Sequence, residues 1–124
     1  MQDEPTPTEL LKAVADFLRN EITPAIKGHN AFKLRVGINA LDLVTRQLAL
    51  ADSGDAAEHI RLKQLLGADG SLIELNRALS HRIAKGEVDL ATLGLSDHLW
   101  LTTMDKLAID QPNYASYKRE LGDK

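Results

Sequence analysis

Apolar residues recur along this chain at helical spacing. Leu11, Val14, Ala15, Leu18 and Ile22 repeat every three or four positions, with Leu10 and Phe17 widening the face. Just before them, Thr6-Pro7-Thr8-Glu9 reads as a helix start. Thr6 caps, Pro7 suits the first helical position, and Glu9 reaches back to the Thr6 amide as a capping box. Pro24 lacks an N–H and restricts its predecessor, so the pattern predicts a first helix over about 7–22.

A second helix is expected over about 31–50, capped by Asn30 after the Gly28-His29 turn and ended by Asp52-Ser53-Gly54. Its apolar residues, Phe32, Leu34, Val36, Ile38, Leu41 and Val44 among them, cover most of the circumference. Such a helix is usually central and contacted on several sides. Gly37 costs helix propensity in its interior, and a close approach by another helix is the expected return. A weaker third helix follows over about 55–66 and ends at Gly67. Ser71 and Glu74 form a second capping box, opening a helix whose stripe is Leu72, Leu75, Leu79 and Ile83 and whose end is Lys85-Gly86. Ser96 is the expected cap of a last long helix in which Trp100, Thr103, Met104, Leu107 and Ala108 share a face, closed by Pro112. No run alternates β-branched and polar residues as a strand would. The expectation is an all-α bundle of four to five main helices with helix two central. A short disordered lead at 1–5 precedes one domain over 6–117, and a flexible tail follows at 118–124.

Composition narrows the function classes. Over 124 residues, 44% are hydrophobic and 27% charged, an ordinary balance for a globular chain. With no cysteine, a disulfide scaffold, a thiolate zinc site and a cysteine nucleophile are all excluded. A net charge of −3 disfavours nucleic acid, which demands dense Lys/Arg contacts to phosphate. No apolar run is long enough to span a bilayer, and the acidic start, Met-Gln-Asp-Glu-Pro, is unlike a signal peptide. The expectations are therefore no membrane, no nucleic acid and a cytoplasmic location.

The residues that stand out chemically lie mostly on helix two. Arg35, Asn39, Asp42 and Arg46 fall within a stripe of roughly 60°, given 3.6 residues per turn. This stripe is a solvent face with Asp42 paired to Arg35 or Arg46, a buried network that fixes helix register, or an anion site built on two guanidinium groups. Asn76 sits within the apolar stripe of its helix, so its amide points inward; a backbone group, Asn39 or Arg35 would satisfy it. Lys27, Lys33, Arg77, Arg82 and Lys85 add local positive charge to an acidic chain. The four histidines make no HxxxH or HExxH spacing, and no nucleophile elbow or phosphate loop is present, so neither a metal, a cofactor nor a catalytic residue is assigned. Three of the five aromatics, Trp100, Tyr114 and Tyr117, crowd the last 25 residues, as a docked tail or as anchors for a partner.

Four segments together resemble a small uncharacterised bacterial family: Pro7 to Phe17, Phe32 to Leu48 (FKLRVGINALDLVTRQL), Leu65 to Gly86 (LLGADGSLIELNRALSHRIAKG) and Lys106 to Tyr114 (KLAIDQPNY). Arg35, Asn39, Arg46, Asn76 and Pro112-Asn113-Tyr114 keep the family's pattern. Its members are encoded beside aminoglycoside-phosphotransferase-like kinases and acyl-CoA dehydrogenases. The resemblance implies a non-catalytic accessory protein or partner of a small-molecule kinase acting on hydroxyacyl-CoA-type substrates. The family has no established catalytic residues to carry over. Two other functions stay open: a binding module for an anionic small molecule such as an acyl-CoA, and an enzyme with an unrecognised acid–base site. Self-association is a further expectation, since helix two is very apolar for a lone chain.

Overall fold

The structure is a computed structural model that describes residues 3–122. Residues 1, 2, 123 and 124, which fall in the expected lead and tail, lie outside the described residues. It is all-α: α1 Pro7–Phe17, α2 His29–Leu66, α3 Leu72–Ala84, α4 Leu95–Asp110 and α5 Ala115–Glu120, with no strand among the described residues. Helix α5 thus runs three residues into the stretch read as tail. The chain divides into two units, one up to Leu50 and one from Ala51, where a single domain over 6–117 is expected. Helix α2 gives its first half to one and its second half to the other.

In the first unit, Thr6 caps α1 and its side chain accepts from the Glu9 amide. The reciprocal half of the box differs from expectation, because the Glu9 carboxylate accepts from the Thr6 hydroxyl rather than from its amide. The expected helix to residue 22 changes pitch before it ends. Leu18–Ile22 widens into a π turn, and the Thr23 amide and hydroxyl both donate to the Leu18 carbonyl. Pro24 has no N–H to continue an α-helical ladder, so the wider turn and a 3-10 turn at Thr23–Ala25 replace it. Gly28, at φ 73°, then starts α2 by accepting from the Ala31 amide, a role expected of Asn30.

Helices α1 and α2 pack along narrow lines. Ala15 and Ile38 are the buried residues among those described in this unit, flanked by half-buried Leu11, Leu18, Leu34 and Leu41. The short connection makes the two helices antiparallel neighbours. At 100° per residue, the positions on either side of the packed lines separate cleanly. One edge is charged: Lys12, Asp16 and Arg19 share a groove with Asp42, Thr45 and Arg46. The other edge is apolar, with Leu10, Val14 and Phe17 on α1 and Gly37, Val44 and Leu48 on α2. A further apolar line on α2, Phe32, Val36, Leu43 and Leu50, is also exposed.

The second unit holds the core. Leu62 and Leu66 of α2, Leu75 and Leu79 of α3, Val88 and Leu95 cluster together, with Leu65, Leu72 and Ala78 against them. Leu62 is fully buried, and its loss to alanine costs about 2–5 kcal/mol in such surroundings. The local signals here read true: Ser71 and Glu74 make both halves of the capping box, and Gly67 (φ 60°) ends α2. His59 Nε2 donates to the Gly70 carbonyl at 2.7 Å, tying that loop to α2. Arg82 donates to the Leu66 carbonyl, an orphan acceptor at the end of α2, which gives one of the basic residues a structural task.

The expected break at Asp52-Ser53-Gly54 does not occur, and helices two and three are one 38-residue helix. Gly54 is where α4 comes near: a β-carbon placed there would meet the Asp105 carboxylate at 3.6 Å. Gly37, where a close approach is expected, meets nothing within 4 Å. The close approach expected at Gly37 is therefore found at Gly54 instead. Helix α4 is also rotated from expectation. It begins after Gly94 (φ 92°) rather than at Ser96, and its buried positions are Leu95 and His98. Trp100, placed by its spacing on the shared apolar face, is 52% exposed, while Met104, Leu107 and Ala108 are half-buried.

Candidate functional site

The polar stripe of helix two does not stay together as one surface. Arg35 and Asn39 are exposed, whereas Asp42 and Arg46 are half-buried along the charged edge. Asp42 pairs with Arg19 of the π turn at 2.6 Å rather than with Arg35, and Arg19 also holds Asp16 at 3.0 Å. One guanidinium thus bridges two carboxylates, and these side chains remain about 36–47% exposed, so each pair contributes about 0–1 kcal/mol. The groove they line encloses about 260 Å³ and carries cations and anions in mixture. Asn76, in the other unit, is half-buried and its amide donates to the Leu72 carbonyl and to Glu58, both at 3.1 Å. One backbone partner of the kind expected is there; the second is an acid on α2. A hollow beside Asn76 has residues of α3 alone for its wall, and a one-walled surface grips no ligand.

The more developed polar constellation is one that spacing could not reveal. His98 is 3% exposed, the buried polar residue among those described. Arg61, 37 positions earlier on α2, donates through Nε to His98 Nδ1 at 3.3 Å and through Nη2 to the Thr102 hydroxyl at 3.2 Å. A guanidinium nitrogen can only donate here, so Nδ1 is the acceptor and the neutral ring carries its hydrogen on Nε2. Burial, then the Arg61 charge, lowers the His98 pKa from the ordinary 6.5, and Glu58 opposes them. Arg61 and His98 line a cavity of about 360 Å³ with Gln64, Leu65, Leu93, Gly94 and Asp97. Positive φ at Gly94 turns the chain into α4 beside it. Metal-ligand spacing does not single out His98, and its four-residue spacing from Thr102 on α4 is the one local clue.

No group of three His, Asp or Glu among the described residues is placed to hold a metal ion. No helix among them is long and apolar enough to cross a membrane. Of the C-terminal aromatics, Trp100 and Tyr114 are each 52% exposed and Tyr117 is half-buried. Leu99 and Leu101, at 42% and 45%, flank Trp100 in the open. Successive residues of a helix lie 100° apart, so these three open onto different sides of α4 rather than onto one surface.

Comparison with curated proteins gives no match, and comparison with solved structures gives none either. Residues 24–114, which include Arg61, His98, Thr102 and Trp100, match the profile of a domain of unknown function. With most of its length matched, the chain belongs to that family, DUF6285.

Proposed function

We propose that the chain is a non-catalytic accessory protein that binds a small-molecule phosphotransferase, one acting on hydroxyacyl-CoA-type substrates. The choice of partner follows from the gene neighbourhood that the family resemblance implies. The observation that supports a contact role is the 52% exposure of Trp100 on α4, with Tyr114 as a second half-exposed aromatic. Tryptophan and tyrosine anchor interfaces because they remove a large apolar area from water while keeping one polar handle. The test is capture of the purified neighbouring kinase by this protein, with phosphotransfer measured alongside. Trp100→Ala is expected to weaken capture at least tenfold, about 1.4 kcal/mol, and to leave the helix content unchanged. Kinase that elutes apart from this protein, and works at the same rate without it, contradicts the reading.

A second reading, binding of an anionic small molecule such as an acyl-CoA, is favoured by Arg61. This half-buried guanidinium donates to two neutral acceptors and faces the 360 Å³ cavity. A guanidinium held in place by neutral acceptors keeps its full charge for a carboxylate or phosphate. Calorimetry with acetyl-CoA and with inorganic phosphate tests it; binding that Arg61→Met abolishes supports it, and no heat at millimolar ligand rejects it.

A further inference from the structure

We infer that this protein self-associates through the apolar edge of the α1–α2 hairpin, a second copy of the chain supplying the surface that covers it. The first unit cannot be complete alone. Among its described residues only Ala15 and Ile38 are buried, although it holds two helices rich in leucine, valine and phenylalanine. Leu10, Val14 and Phe17 on α1 and Val44 and Leu48 on α2 are each between 43% and 53% exposed. Helical spacing puts all five on the side of the hairpin opposite its charged groove.

Three features select a second copy as the occupant. The first is area. Five large side chains near half exposure present on the order of 450 Å² of apolar surface. A standard interface takes about 800 Å² from each partner, somewhat more than half of it apolar, so two such edges suffice for each other. The second is charge. Helical spacing puts Lys33 on the α2 part of this edge, and Glu21 lies in the π turn that follows its α1 part, so an identical copy can set opposite signs against each other. The third is Gly37, on this edge, where a β-carbon would have no neighbour within 4 Å. An interior helical glycine facing open space gains nothing within its own chain. Beside a two-fold axis it lets two copies of α2 approach closely, with Ala40 one turn on as the next small residue. Two antiparallel hairpins joined edge to edge then form a four-helix arrangement, the usual way such hairpins bury a second apolar face.

This inference does not rest on the kinase reading, because that contact is placed on α4. Sedimentation equilibrium of the full chain tests it over about 1–100 μM, the range that a standard-size contact of ordinary affinity spans. The expected mass at the upper end is twice the monomer's 13.6 kDa. Gly37→Gln is the discriminating variant. It replaces a poor helix former by a good one where the chain leaves open space, so the helical signal is kept or raised while the dimer dissociates at least tenfold more readily. Val14→Asp is expected to shift the equilibrium in the same direction. A protein that is monomeric throughout the range overturns the inference. So does a dimer that both variants leave unchanged, since a different face would then be in use.

Discussion

Arg61 and His98 illustrate how a buried polar group is kept in one state by its surroundings. The imidazole is out of water and accepts from a cation, so protonation would place two positive charges side by side. Glu58 is the nearby acid that works against this, and it does not prevail. The consequence for stability has a definite sign. The unfolded imidazole takes up a proton near pH 6.5, while the folded one resists it to lower pH. The unfolded state therefore binds more protons below that point, and stability present above pH 6.5 is lost as pH falls toward the folded value. Denaturant unfolding at pH 7.5 and 5.5 is expected to show this decline, and His98→Gln is expected to flatten it. An identical slope in wild type and variant would place the pH dependence elsewhere.

At the scale of elements, caps and packing make separable predictions. Ser71→Ala removes the acceptor for the Glu74 amide and is expected to cost about 1 kcal/mol in thermal or denaturant unfolding. Gly54→Ala is expected to stabilise by up to about 1 kcal/mol, because a β-carbon at 3.6 Å from Asp105 is in ordinary contact and alanine is the better helix former. Gly54→Leu at the same position is expected to destabilise, since the longer side chain must displace α4. A reversed order for the two variants would deny that α4 lies against this part of α2. These cases also explain what the residues could and could not announce. The Ser71 box, the Gly67 stop and the Lys85-Gly86 ending depend on neighbours in sequence and were readable there. Asp52-Ser53-Gly54 has the composition of a break, yet helix α2 continues because a residue 51 positions away packs on it. The rotation of α4 was equally hidden, since Leu99, Trp100 and Leu101 make every side of the helix look apolar. Among candidate site residues, helical spacing offers Asp42 the partners Arg35 and Arg46, whereas it pairs with Arg19, and Asn76 finds a backbone carbonyl and Glu58. The Arg19–Asp42, Asn76–Glu58 and Arg61–His98 contacts each join residues 18 or more positions apart, a separation that helical spacing does not span.

For the whole molecule, the proposed role is one of contact rather than chemistry. Its developed core lies in the unit from Ala51, while the hairpin before it keeps large side chains in the open. Half-exposed Trp100 is the single tryptophan of the chain, so a probe of the proposed kinase contact is already built in. The protein's polar chemistry gathers at the charged edge by Arg19 and at the cavity by Arg61. The most direct measurement is a calorimetric titration of the neighbouring phosphotransferase into this protein, in wild-type and Trp100→Ala forms. The expected result is saturable binding with one kinase per chain, a Kd in the micromolar range or below, and at least tenfold weakening in the variant. Absence of heat and separate elution of the two proteins would contradict it.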